Sequence, residues 1–404
     1  MVIRYILLVF AIHSFSTSVA AMEGLILDES TDQPIVSAII TADGIEYHTD
    51  VKGRYQIPHA DMIGVRAAGY ERLFTRFNRK IYLRKFHPRA LYLSAFGATN
   101  KKIMKNAKYL IRTTRINALV IDVKTDRGEI AFDSSSPVAK EIGAQKRVSF
   151  PHLKDFIGAL KEEGVYTIAR IVCFKDTPFV RAFPQLGAKY PNGTLYRDRE
   201  GSYWIDPSHK EAWRYLLTIA EESAKAGFDE IQFDYVRFPD KRGLSFSVKN
   251  RQSERVHIIT EFLKYARARL AHYNVFTAAD IFGYVCWNDA DLGIGQRVDA
   301  MAPYVDYISP MLYPSSFQVG IPGYKNPVKA NYEIVKHSLD KALEKSGGSP
   351  LRYRPWLQAF KDYAFDRRNY GEKEIGEQIR ASEDFGSSGW MLWNAGNRYT
   401  AEGI

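Results

Sequence analysis

Cysteine is scarce in this chain: 404 residues hold two, Cys173 and Cys286. Two thiols cannot build a disulfide framework. Each falls beside an expected strand end, so they read as buried free thiols; a single bridge stays open should the two strand ends meet. No cluster of Cys and His has zinc-ligand spacing, and the expected strand ends hold no His, which argues against a metal site and a metal-dependent hydrolase. No cofactor is called for. The net charge is +10, yet no basic tract concentrates it; the nearest approach, residues 76–85, interleaves its cations with apolar residues as a strand does. With no nucleic-acid motif either, nucleic acid is not an expected partner. Spread positive charge is compatible with a loose association with an anionic envelope.

Long apolar runs are missing too, except at the start. Residues 1–13 give a short basic start and an apolar run, followed by small residues up to Ala20 and Ala21. This is a secretory leader pattern over 1–21, too short for a comfortable membrane span, with an uncleaved anchor as the alternative. The expected destination is outside the cytoplasm, either periplasmic or secreted.

What is present divides in two. From 22 to 86 the text alternates and turns in the manner of an all-β module. The carrying features are Gly24, Pro34-Ile-Val-Ser-Ala38, Thr49-Asp-Val-Lys-Gly-Arg-Tyr55 and Ala68-Gly-Tyr70, with a turn at Ala42-Asp-Gly44. On these residues the segment resembles the small carboxypeptidase-regulatory-like β-sandwich, a fold that implies a spacer or adhesion unit rather than a catalyst. The pair His87-Pro88 marks the junction.

From 88 to 404, apolar strands alternate with amphipathic helical stretches. The expected strands are 90–95, 118–124, 165–172, 230–234, 275–280, 305–311, 355–360 and 389–393, with helices around 102–112, 151–163, 207–226, 253–272, 327–343 and 372–385. Such βα units over roughly 315 residues predict a (β/α)8 TIM barrel with insertions, the whole chain being α/β with a small N-terminal all-β domain. An open doubly wound sheet fits less well, because no Gly-rich phosphate fingerprint follows the first strand.

A barrel of this kind works at the carboxyl ends of its strands. Those ends supply Asp122 and Lys124, Arg170, Asp234 and Arg237, Asp280 with Trp287 beyond it, Tyr313, Gln358, and Trp393 with Asn394. Asp234 and Asp280 fall on adjacent strands. Glycoside hydrolysis needs two carboxyl groups about 5 to 9 Å apart, one ionised and one protonated. Neighbouring strands about 4.8 Å apart can supply that separation. Arg237 or Arg170 would keep one acid ionised, while Phe233, Tyr235, Phe282 and Trp287 would bury the other. Trp393, Trp287 and Tyr313 would stack on sugar rings. The competing structural reading has Asp122, Asp234 and Asp280 ion-paired with Arg170 and Arg237 as architecture of the barrel top.

The motifs Asn117-Ala-Leu-Val-Ile-Asp-Val-Lys124, Ile168-Ala-Arg-Ile-Val172, Trp204-Ile-Asp-Pro207, Gly227-Phe-Asp-Glu-Ile-Gln-Phe-Asp-Tyr-Val-Arg-Phe-Pro239, Ile308-Ser-Pro-Met-Leu-Tyr-Pro314 and Gly389-Trp-Met-Leu-Trp-Asn394 carry a second resemblance. Residues 88–404 are similar to a glycoside hydrolase family, long catalogued as a domain of unknown function, within the glycosidase barrel superfamily. The resemblance implies a barrel and a carbohydrate setting, and the same site without its roles. The strand ends themselves give Asp234 and Asp280 as the catalytic pair, in either order of roles, with Asp122, Lys124, Arg170, Arg237, Trp287, Tyr313, Gln358, Trp393 and Asn394 around the substrate. The fifth-strand acid is Asp280 where a longer Glu is more usual. A polysaccharide or envelope glycan is the expected partner, and a non-catalytic carbohydrate-binding or scaffold protein on the same barrel is the alternative.

Overall fold

The structure, a computed structural model, describes residues 21–404. All of the expected leader but its last residue lies outside them.

The N-terminal part is seven strands in two sheets: β1 (Met22–Asp28), β2 (Ile39–Ala42), β3 (Ile45–His48), β4 (Arg54–Ile57), β5 (Met62–Arg66), β6 (Leu73–Arg76) and β7 (Lys80–Leu83). One sheet runs β4-β1-β7 and the other β3-β2-β5-β6. Alternate residues point inward, as in β4 and β7, so Ile26, Ile40, Ile57, Ile63 and Ile81 from both sheets meet in one small core. Asp43 and Gly44, at φ +50° and +78°, close the β2–β3 hairpin as a two-residue turn whose left-handed pair suits Asp-Gly.

The rest is a closed barrel of eight parallel strands: β8 (Arg89–Leu93), β9 (Ala118–Lys124), β10 (Tyr166–Val172), β11 (Glu230–Asp234), β12 (Phe276–Phe282), β13 (Tyr307–Met311), β14 (Trp356–Gln358) and β15 (Trp390–Trp393). These strands are buried on both faces, which is why they read as nearly unbroken apolar runs. Leu91, Ile121, Ile171, Phe233, Ile281 and Leu392 face outward into the large core shared with the helices. Ala90, Tyr92, Val120, Ile168, Trp356 and Met391 pack together as an inner cluster. Near the amino end of the strands, Glu230 and Arg354 form a fully buried ion pair, with the guanidinium 3.9 Å from the Tyr307 ring centroid. Both cysteines are buried and free.

Several element ends differ from expectation, each for a local reason. The first barrel strand stops at Leu93 because the Ser94 side chain accepts from Gly97 N–H and starts the helix Ala95–Thr99. The seventh shortens to Trp356–Gln358, where the Gln358 backbone N–H donates to the Gln378 side chain. The helix expected from 327 begins with a 3-10 turn, Pro327–Lys329, before Asn331–Ser346.

The two-sheet domain docks on the amino ends of the barrel strands. Arg66 pairs with Asp306, just before β13, and donates to Asn274, just before β12; Arg72 pairs with Asp229, just before β11. Gly69 N–H donates to the Tyr307 hydroxyl. The opposite, carboxyl-end mouth is therefore left free of this domain. No helix among the described residues is long and apolar enough to cross a membrane.

Candidate active site

Side chains alternate across a strand, so residues two apart share a face. In β11 the inner face bears Glu230, Gln232 and Asp234; in β10 it bears Ile168 and Arg170, and in β9 Val120 and Asp122. The register sets Arg170 beside Asp122 and Val172 beside Asp234. One guanidinium consequently lies between two carboxylates. Arg170 Nη1 donates to Asp122 Oδ1 at 2.6 Å, and its Nε donates to Asp234 Oδ2 at 2.9 Å with Nη2 on the same oxygen. The Tyr92 hydroxyl donates to Asp122 Oδ2 at 2.6 Å. Burial pushes the Asp122 carboxyl up, against the pull of Arg170 and Tyr92.

Asp234 ends its strand under constraint. Tyr235, which follows it, sits at φ +50°, a left-handed conformation uncommon outside glycine, and its backbone N–H donates to Asp234 Oδ1 at 2.6 Å. A strained residue that points an amide at an acid is a feature of functional sites. Asp234 lines a hollow of about 280 Å³ together with Arg170, Arg237, Tyr313, Trp356 and Trp393. The Arg237 guanidinium rests 4.7 Å from the Trp204 ring and 5.3 Å from the Tyr235 ring. Trp393 stacks on Tyr92 at 3.9 Å and meets Trp356 edge-on at 5.4 Å.

Asp280 behaves differently. It is 1% exposed, its Oδ1 accepts from Trp356 Nε1 at 2.8 Å, and its Oδ2 has no partner among the described residues. Burial first, and then the negative charge of Asp234, push its carboxyl well above the usual range. The surroundings of Asp280 therefore favour its neutral form. Trp356 lines the hollow and Asp280 does not, so the acid is held beneath the lining by the indole. The expectation that both acids face the hollow holds for Asp234 alone.

Asp122, Arg170, Asp234, Arg237, Tyr313 and Trp393 thus gather around the mouth. Besides Asp280, four expected residues do not. Lys124 is buried against Asp176 and the Val172 carbonyl, because β9 slips register after Asp122 and turns it from the mouth. The Trp287 indole donates to Ser338 on the helix Asn331–Ser346 and packs there, since a 3-10 turn, Gly283–Cys286, carries it away from the strand end. Gln358 is buried between Ser315 and Gln378. Asn394 braces the last turn, donating to the Ala359 carbonyl and accepting from Gly396. Tyr92 and Trp356 are the residues that strand-end reading passed over. Inner-face parity within β8 and β14 was the available signal. Among the described residues no group of three or more His, Cys, Asp or Glu is placed to hold a metal ion.

A closed parallel barrel with carboxylates and indoles at its carboxyl-end mouth is the architecture that glycosidases of the (β/α)8 class use. The chain belongs to the family described as "Putative glycosyl hydrolase domain", whose model matches residues 90–399. Among solved structures it is similar to the PgaB (BpsB) glycoside hydrolase domain from Bordetella bronchiseptica, at 13% identity and a TM-score of 0.57, covering 77% of this chain and 95% of that one. That likeness supports the fold. A hypothetical protein from Ruminiclostridium thermocellum ATCC 27405 is 37% identical over 47% of this chain and 96% of its own, with a TM-score of 0.43. The spore cortex-lytic enzyme SleL of Bacillus megaterium QM B1551 is 12% identical over 82% of this chain and 75% of its own, with a TM-score of 0.45. No curated protein matches the chain.

Proposed function

We propose that the protein is an exported glycosidase that cleaves a polysaccharide or envelope glycan by a two-carboxylate mechanism. One observation carries the reading: Asp234, clamped by Arg170 at the wall of an aromatic hollow, adjoins the buried Asp280, whose carboxyl burial and the Asp234 charge push upward. The asymmetry supports one order of roles. Once the Trp356 indole that covers it swings aside, Asp280 gives its proton to the glycosidic oxygen as the bond from that oxygen to the anomeric carbon breaks. Asp234 meets the positive charge developing on the anomeric carbon, as nucleophile or electrostatic stabiliser. Water then completes the hydrolysis and returns a proton to Asp280. Arg170, shared with Asp122, holds Asp234 in one orientation, and the Trp393 and Tyr313 rings offer faces to the sugar. The leader pattern over residues 1–21 supports export, and the net charge of +10 suits a loose association with an anionic envelope.

The mature protein is to be screened against bacterial exopolysaccharides and cell-wall glycans by reducing-end release, beside Asp234→Asn. The variant should fold, keep glycan binding, and lose at least about 10³-fold in turnover. Turnover at the parent rate would remove Asp234 from the mechanism. The sealed position of Asp280 favours one second reading, a non-catalytic glycan-binding barrel. That reading predicts equal binding by parent and variant, with no reducing ends from any glycan.

A further inference from the structure

The hollow that holds Asp234 has a neighbour. A second hollow of about 520 Å³ lies on the other side of Arg170, Tyr235 and Trp393, which line both, and it contains Asp122. Arg170, Tyr235 and Trp393 thus form the waist of a longer cleft, with Asp234 in one half and Asp122 in the other. Aromatic rings extend beyond each half. On the Asp122 side Phe96 lines the second hollow while 68% exposed. On the Asp234 side Tyr313 meets Phe360 edge-on at 5.4 Å, and Phe360 lies parallel to Tyr363 at 6.1 Å and 8°. Tyr363 is 46% exposed.

A single exposed aromatic needs no explanation. These two, however, sit on firmly held segments, Phe96 in the helix Ala95–Thr99 and Tyr363 in a loop. Phe96 follows Ser94, whose N–H and hydroxyl both donate to Asn397 Oδ1 and whose oxygen caps the helix Ala95–Thr99. Tyr363 follows Asp362, a buried carboxylate that accepts from the backbone N–H groups of Ala364, Phe365, Asp366 and Arg367 and from the Ser315 hydroxyl. Rigid segments that present aromatic faces to water suit a flat, partly apolar ligand, since no ordering cost falls on the protein.

We propose that the mouth is a through-cleft for an extended glycan chain, with Phe96 and Tyr363 as outlying platforms that stack on internal pyranose rings to either side of the acids. The proposal rests on the glycosidase reading and adds to it that the substrate is a polymer entered at internal bonds. Stacking at two remote platforms rewards chains long enough to reach both and leaves short sugars unaffected.

The test is affinity electrophoresis of the full mature protein through gels containing glycol chitosan or peptide-free peptidoglycan strands. Chitobiose serves as the short competitor, and Asp234→Asn is carried as a turnover-free background. Phe96→Ala and Tyr363→Ala should each weaken retardation by the polymer about three- to tenfold, leave competition by chitobiose unchanged, and keep the parent's thermal midpoint. On any polymer that the parent degrades, viscosity should fall well ahead of reducing-end release. Unchanged polymer retardation in both variants, absence of retardation in the parent, or equal losses for polymer and chitobiose would each overturn the proposal. Persistent turnover by Asp234→Asn would count against the catalytic assignment alone, since the retardation measurements need no turnover.

Discussion

Two aspartates of equal intrinsic acidity stand one strand apart, and their surroundings separate them. Asp234 has a guanidinium and a backbone N–H; Asp280 has an indole N–H and an unpartnered oxygen. The raised Asp280 carboxyl has a consequence for stability. An unfolded Asp loses its proton near about pH 4, while the folded one keeps it to higher pH. Above that point the native state binds the extra proton, so stability falls with rising pH, by at most about 1.4 kcal/mol per pH unit. Asp280→Asn removes this slope and keeps the bond from Trp356. It should be more stable than the parent at pH 7, with the gap closing toward pH 4, as read by urea unfolding at several pH values. Parallel stability curves would show that Asp280 is not protonated in the fold. If Asp280 is the general acid, the same variant should lose about 10²- to 10⁴-fold in turnover, and the parent's rate should fall on the alkaline side as Asp280 ionises.

At the scale of the element, alternation carried most of the legible information. The apolar runs of β9 to β13 announce parallel strands buried on both faces, and the Asp234 segment reads correctly to its last residue. Legibility failed where strands are short or bulged. β14 has three residues, and Trp356 and Gln358 share a face, so reading the strand end alone picked out Gln358, while Trp356, one pleat earlier, lines the hollow. β9 shifts register after Asp122, which turned Lys124 aside. One glycine matters to barrel closure. Gly389 enters β15 at φ +89°, and a Cβ there would stand 1.9 Å from the Pro88 carbonyl oxygen, to which Trp390 N–H donates at the β15–β8 seam. Gly389→Ala should cost about 3 kcal/mol or more, from left-handed strain plus the displaced seam, measured by denaturant unfolding. A loss below about 0.5 kcal/mol would mean that the seam adjusts freely.

Across the whole molecule, the N-terminal domain sits on the barrel base, away from the mouth. Arg66 is its main tie, nearly fully buried and bonded to Glu46, Asp306, Thr41 and Asn274. Burial alone would raise the Asp306 carboxyl, but Arg66 and Arg267 outweigh it and hold it below the usual range. A depressed carboxylate stabilises above its unfolded pKa and loses that contribution as pH falls through the folded one, so this docking should loosen below about pH 4. Arg66→Ala leaves a buried carboxylate short of its partner and should cost about 3 kcal/mol. Glycan retardation should not change, because the tie and the mouth are at opposite ends of the strands. A drop in glycan binding equal to that of the platform variants would contradict this separation.

Residue order alone determined the kind of elements, their alternation, the eight-unit count that closes a barrel, and which strands end in acids, because side-chain period and burial are local properties of the text. Only the tertiary structure decided which of those acids meet a cation, which is sealed so that burial pushes its carboxyl up, and that Trp287, Lys124, Gln358 and Asn394 serve packing instead of the mouth. Charge state depends on desolvation and on neighbours brought from distant strands, and no spacing along one chain encodes either.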